Sequence, residues 1–394
     1  MQNPGENNAA TLKDRAVSRF CEMYGRAPER VAEAPGRIEL IGNHTDYNGG
    51  FVMGIAIDRK IACAVARRPD RKACFANAKT GAKAVVDIGD IRPFPRDRNW
   101  ANYPLGVFKF LLEAGMDAPC GFDFADASDL PSGSGLSSSA AVETAACVAL
   151  SALYGFSLEK KAVAAIGRKC ENEFVGMPCG ILDQGVSVFG KKDSAVFIDC
   201  LTEDYSTCPL PGGCSIYLFN STKKHALVDG LYAERHAECM EAARAMSEVG
   251  REQLLRAFTA EDLEAARPMM GKNAYKRALH VINENARVLA AREMLERGDA
   301  KGAGALLFES HESSKTLFEN SCEEIDFLVD ALRDSPGVYG ARITGGGFGG
   351  AAMALAGSGF SQADAAAVAE KYAKRFGKAP LVMKCSASGG ASLV

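Results

Sequence analysis

Residues 130–140 read Leu-Pro-Ser-Gly-Ser-Gly-Leu-Ser-Ser-Ser-Ala and run straight into an Ala-rich stretch with Val142, Ala145, Ala149 and Leu153 at helical spacing. The spacing predicts a buried helix over Ser137 to Tyr154, stopped by Gly155. Gly133 and Gly135 let backbone N–H groups turn toward a ligand without a Cβ clash. Ser137, Ser138 and Ser139 supply caps and hydroxyl donors where the helix dipole is positive. Such a helix entry makes an anion site, most naturally for phosphates. No Gly-Lys-Ser/Thr follows, so it is not a Walker A loop. Ser138 stands where the third glycine of a dinucleotide fingerprint would be. Taken alone, the segment also reads as an ordinary Ser-capped helix after a turn.

Three further segments carry chemistry. Thr344–Gly350 holds five glycines in six positions between two strands, a cost in backbone entropy that a loop bears when it moves or lets another backbone or a ligand come close. Residues 34–50 alternate with period 2, placing Ile38 and Leu40 on one face and Arg37, Glu39 and Ile41 on the other. A polar turn follows with Asn43, His44, Asp46, Tyr47 and Asn48, a density of donors and acceptors suited to hydroxyl-rich ligands. Asp183, between the apolar Ile181, Leu182 and Val186, is either a poorly solvated carboxylate that needs a cation or a helix N-cap.

The remaining chain sets bounds. At 394 residues it exceeds the usual single domain, and Pro209–Gly213 is the one plausible boundary, dividing lobes 1–210 and 211–394. Strands are expected at Arg37–Ile41, Phe51–Ile57, Ile61–Ala66, Val338–Thr344, Ala351–Ala356 and Pro380–Cys385. Helices are expected at Leu231–Val249, Arg251–Arg267, Lys272–Arg297 and Gln362–Phe376. A net charge of −3 carries no nucleic-acid footprint. Thirteen cysteines, an odd number with no CxxC pair, point to reduced thiols and a cytoplasmic protein. The polar N-terminus is not a signal peptide. Residues 140–156 are too short and too interrupted to span a membrane.

Taken together, the segments resemble the galactokinase family, within the small-molecule kinase superfamily of galacto-, homoserine, mevalonate and phosphomevalonate kinases. APGRIELIGNHTDYNGG (34–50) looks like its sugar signature, LPSGSGLSSSAA (130–141) like the superfamily phosphate loop, and GARITGGGFGG (340–350) like its C-terminal glycine motif. Between them, in family order, lie ENEFVGMPCGILDQ (171–184), Tyr232, Arg235, HVINENARVL (280–289) and Ser310-His311-Glu312-Ser313. The similarity runs from about residue 17 onward.

The resemblance implies an α+β, two-lobed small-molecule kinase fold with the active site in the cleft between lobes. It implies transfer of the γ-phosphoryl of ATP to the anomeric 1-hydroxyl of galactose, giving galactose 1-phosphate and ADP. By position, Asp183 is the catalytic aspartate and Arg37 the arginine that holds it ionised, so that it orients or deprotonates the hydroxyl. Arg37, Asn43, His44, Asp46, Gly180, Asp183 and Tyr232 match sugar-contacting positions. Gly133, Ser134, Gly135, Leu136, Ser137, Ser138 and Ser139 match the phosphate loop, and Ser139 and Glu171 match the Mg2+ positions. Trp100 either lies near the adenine or simply packs. The implied partners are the sugar and ATP, with no nucleic acid and no membrane, in a monomer or weak dimer.

Departures from the family pattern cluster near the sugar. Asn43 stands where Glu is usual, Glu39 where Asn or an apolar residue is usual, Gly185 where Phe is usual, and Ala233 where Asn is usual. Asn43 would tolerate a carboxylate at C6, so a related sugar (galacturonate, arabinose or an N-acetylhexosamine) is the alternative substrate. A non-catalytic galactose/ATP sensor is a further one, although such proteins typically lose part of the serine segment retained here.

Overall fold

A computed structural model describes residues 10–77, 81–131, 135–223, 228–248 and 253–394. In chain order the strands are β1 (Arg30–Ile41), β2 (Phe51–Arg67), β3 (Lys72–Ala76), β4 (Lys83–Asp87), β5 (Phe122–Ser128), β6 (Ser194–Asp199), β7 (Asp204–Pro209), β8 (Ser215–Asn220), β9 (Val338–Thr344), β10 (Ala351–Ala356), β11 (Leu381–Cys385) and β12 (Ser392–Leu393). The helices are α1 (Leu12–Tyr24), α2 (Asn102–Glu113), α3 (Ser138–Leu153), α4 (Lys160–Lys169), α5 (Leu182–Phe189), α6 (Val228–Met246), α7 (Ala260–Ala266), α8 (Lys272–Glu296), α9 (Ala300–Ser313), α10 (Glu323–Arg333) and α11 (Gln362–Phe376).

Two sheets organise these elements. The first runs β12-β1-β2-β5-β3-β4, with β6 pairing β2 and β7 pairing β6; the second runs β11-β8-β10-β9. Among the described residues, β3 with β5 is the one parallel pair. Strands up to Pro209 build the first sheet and those from Ser215 the second, but β12 returns to β1 at the end of the chain. The α+β expectation holds.

Alternation along β8 explains how the halves join. Ile216 and Leu218 point into one core, shared with Ile38, Ile55, Phe122 and Val186 of the first sheet. Tyr217 and Phe219 point into a second core, against Leu328 of α10 and Tyr372 of α11. The first core is therefore continuous across both sheets.

Some expected elements differ from those observed. Phe51–Ile57 and Ile61–Ala66 form one 17-residue strand, β2. Asp58, Arg59 and Lys60 include no breaker, so the backbone stays extended and β2 changes partner from β6 to β5. The helix expected over 251–267, whose first two residues lie outside the described ones, is broken: Thr259 caps a new start with Asp262, and α7 begins there. β1 shifts register between Pro35 and Arg37 and again between Glu39 and Ile41, which frames the segment carrying Arg37 and Glu39 with two irregularities.

Candidate active site

Asp183 is the second residue of α5 and not its N-cap. Its carboxylate is held at both oxygens: Arg37 Nε donates to Oδ1 at 2.7 Å, and the Ser137 hydroxyl donates to Oδ2. Arg37, 7% exposed at its side chain, also donates through Nη1 to the Gly135 carbonyl at 2.6 Å, and its own N–H donates to Leu136 O at 3.1 Å. The loop before α3 is thus laced to β1. Ser137 sits at φ 52° and its side chain makes no cap on α3, a correction to its expected role: the left-handed backbone instead aims the hydroxyl at Asp183. Gly133 and Ser134 lie outside the described residues.

Three cavities lie in a row. One of about 500 Å³ is lined by Trp100, Tyr103, Arg19, Ser138 and Ser139. The next, about 260 Å³, shares Ser138 and Ser139, and is walled by Gly135 to Ser137 on one side and Thr344 to Gly347 on the other. The two glycine-rich motifs, some 200 residues apart in sequence, face each other across it. The third, about 180 Å³, shares Arg37 and Gly346 with the second and is lined by Glu39, Asn43, His44, Asp46, Gly180, Asp183 and Tyr232. At that size it admits a ligand smaller than the drug-sized molecules that fill pockets of roughly 300–1,000 Å³.

The polar turn is fixed from below. Glu284, fully buried on α8, accepts from the backbone N–H of Gly42 (3.0 Å) and Asn43 (3.3 Å) and from the Ser310 hydroxyl (2.6 Å). Burial alone would raise its carboxyl, but Arg287, 2.7 Å away, leads the groups that bring it down to about 2. His280 bonds Asn43 O at 3.0 Å. His44 lines the third cavity, yet both ring nitrogens are engaged within the protein, with Tyr47 Oη and Gly346 O, each at 3.0 Å. Burial pushes its imidazole down to about 3, so it is neutral, and it stacks on Phe318 at 4.3 Å. Asn43 is locked as well: Nδ2 donates to Glu39 and to Gly345 O, and Oδ1 accepts from Asn320 at 2.7 Å.

Asp46 accepts from the Tyr47 N–H at 3.0 Å. Burial, augmented by Asp183 and Glu39, pushes its carboxyl up to about 7. A Cβ on Gly180 would lie 2.0 Å from Asp46 Oδ2, so only glycine allows this approach. Glu171 sits in a π-helical turn (Cys170–Val175), a wide turn often found at functional sites. Burial raises its carboxyl and Asp183 adds to the rise, while the Ser139 hydroxyl and Gln184 oppose it. Gln184 Nε2 bridges Glu171 (2.8 Å) and the fully buried Glu143 (3.0 Å), whose Oε1 has no partner. Among the described residues, every expected site position thus lines one of the three cavities or bonds a group that does. Sequence reasoning had not singled out Glu143, Gln184, Arg342 or Thr344 as site residues, and noted Glu39 on the Arg37 face of its strand and as a departure, not as a site residue.

The fold and the row of cavities define a small-molecule kinase of the GHMP class: the GHMP kinases N terminal domain matches residues 102–191 and the GHMP kinases C terminal domain matches 290–378. The mevalonate kinase of Methanococcus jannaschii shares this fold at a TM-score of 0.64 and 17% identity, over 91% of this chain and 98% of its own. The galactokinase galactose-binding signature matches residues 18–67. The galactokinase of Actinobacillus pleuropneumoniae is 38% identical over 384 residues, 96% of this chain and 98% of that protein. The structure of Lactococcus lactis galactokinase complexed with galactose superposes at a TM-score of 0.92 with 32% identity, covering 97% of this chain and 100% of that one. The chain belongs to the galactokinase family. It is an enzyme, a sugar kinase.

Proposed function

We propose that the protein transfers the γ-phosphoryl group of ATP to the anomeric 1-hydroxyl of galactose, giving galactose 1-phosphate and ADP. The position of Arg37 carries this reading. It is ion-paired to Asp183 on the side of the sugar-sized pocket and lines the glycine-walled cavity on the other. A hydroxyl against Asp183 and a triphosphate between the glycine motifs would therefore meet at this pair.

Ser137 and Arg37 each take one lone pair of the Asp183 carboxylate, leaving acceptor capacity on both oxygens for the sugar hydroxyl. As the hydroxyl oxygen bonds to the γ-phosphorus, its proton passes to Asp183. The bond from that phosphorus to the β–γ bridging oxygen breaks, and ADP departs. Arg37 compensates charge on the group in transit. The Trp100 cavity is the place for the base, since it opens onto the phosphate side through Ser138 and Ser139.

The residues present fit a magnesium ion. The Glu171 carboxylate and Ser139 hydroxyl are hard oxygen donors bonded to each other; burial first, then Asp183, raises the Glu171 carboxyl, and burial with Glu171 raises Glu143, a crowding of carboxyls that a cation would relieve. No group of three His, Cys, Asp or Glu side chains among the described residues forms a closed metal cage. That pattern suits an ion held by one or two protein oxygens plus phosphates and water. Ser139 and Glu171 would hold it, and when bound it would neutralise phosphate charge.

Incubation with galactose, ATP and magnesium, with the product read by phosphorus and carbon NMR, tests the reading. The expected product is the 1-phosphate together with stoichiometric ADP. A phosphate at another carbon, or ADP formation that ignores galactose, would overturn it.

A further inference from the structure

The two departures at Glu39 and Asn43 touch each other. Asn43 Nδ2 lies 3.0 and 3.3 Å from the two Glu39 oxygens. Glu39 is 3% exposed, lines the sugar-sized pocket, and receives Arg342 Nη1 on Oε1 at 2.9 Å. Arg342 is itself fully buried, and its Nε and Nη2 have no hydrogen-bond partner. Oε2 carries only the longer bond from Asn43, which leaves it the freer acceptor. Thr344 fixes the backbone at this residue, accepting from Glu39 N at 2.9 Å and donating to Glu39 O at 3.1 Å. Asn43, by contrast, has its amide spent on Glu39, Gly345, Ser314 and Asn320.

Arg37 and Glu39 lie on the same face of β1 with the register intact between them, so they stand roughly 6.6 Å apart along the strand. A pyranose with its reacting hydroxyl against Asp183 and Arg37 therefore presents its opposite edge, carbons 4 to 6, toward Glu39. From this we infer that Glu39 is a sugar-specificity residue: its carboxylate accepts a hydrogen bond from a hydroxyl on the edge opposite the reacting carbon, and Asn43 and Arg342 hold it there. The inference rests on the galactose 1-kinase reading. It also reverses the expectation drawn from Asn43. The carboxyl of this wall stands at position 39 and not at 43, and a uronate carboxylate facing it would bring an acceptor where a hydroxyl donor is needed.

The test compares wild type, Glu39→Gln and the exchange Glu39→Asn/Asn43→Glu on galactose, 4-deoxygalactose, 6-deoxygalactose and galacturonate, with the KM for ATP as control. Wild type is expected to prefer galactose over at least one deoxysugar and to reject galacturonate. Glu39→Gln is expected to lose about 10- to 100-fold in kcat/KM on galactose and far less on that deoxysugar, so the ratio collapses. The exchange variant takes the acid away from position 39 and is expected to lose the preference as well; should Glu39→Gln not fold, an exchange variant that keeps the wild-type ratio overturns the inference. An equal loss on galactose and both deoxysugars in Glu39→Gln would show that Glu39 only supports Arg342, and would also overturn it. A wild-type protein with no activity on galactose would overturn the underlying reading as well, and so is told apart from these outcomes.

Discussion

At the scale of single residues, the site is a set of groups each held by a partner far away in sequence. Arg37 meets Asp183 across 146 positions, and Thr344 meets Glu39 across 305. Asp46 gives a pH signature. Its carboxyl rises from an ordinary 3.8 to about 7 on folding, through burial first, so the folded state binds the proton more tightly. Its contribution to the stability of the ligand-free protein is full below pH 3.8 and is lost as pH rises to about 7. Asp46→Asn should therefore flatten the fall in Tm between pH 5 and 7.5, and an identical slope in the variant would contradict this origin. Arg37, His44 and Asp46 stood out in the sequence as part of a dense local pattern of residue types, whereas Asp183 read alone could equally have been a helix N-cap and was singled out through the resemblance. Glu143 and Gln184 were not, because what distinguishes them is a buried contact between α3 and α5 and not any spacing. The Ser137 hydroxyl was assigned to a cap, since its left-handed backbone is not written in the residue type.

At the scale of elements, the glycine motif after β9 shows why residue type and backbone must agree. Gly347 has φ 91°, and a Cβ there would lie 2.5 Å from the Asn320 carbonyl, on the residue whose side chain holds Asn43. Gly347→Ala should cost about 1–3 kcal/mol of stability through backbone strain, and should raise the sugar KM as Asn320 and Asn43 shift. Gly212→Ala, with open space and no positive φ, should leave both unchanged. Thermal melts and steady-state kinetics on the pair check this. Element boundaries were readable where periodicity met a clear stop. α3 ends before Gly155 at φ 70°, and the Gln362–Phe376 helix is capped by Ser361 with Asp364 and closed by Gly377. They were not readable where a strand simply continues, as in β2, or where one wide turn interrupts a helical run, as at Cys170–Val175.

At the scale of the whole molecule, the two sheets act as one body because a core runs between them and the chain end ties them together. The tail after β11 crosses back to the first sheet. Ser388 N donates to Ala56 O, Gly390 N to Gly190 O, Ala391 N to Ser187 O and Val394 N to Val31 O, all between 2.8 and 3.0 Å. Removing residues 386–394 should lower Tm by several degrees, given about 0.5–1.5 kcal/mol for each lost bond. It should lower kcat too, because the same tail braces α5, which carries Asp183. An unchanged melt would show that the tail carries no such load. The strand and helix patterns showed a mixed chain, and the α+β class itself came with the family resemblance. The return of β12 to β1 was not, because two residues carry no pattern.

The central claim is that Asp183, held between Arg37 and Ser137, handles the reacting hydroxyl. Steady-state kinetics of Asp183→Asn against wild type, with galactose and ATP varied separately, test it most directly. The account predicts a fall in kcat of about 10²- to 10⁴-fold, with the galactose KM changed only a few-fold. A kcat near wild type, or a loss expressed wholly in KM, would contradict it.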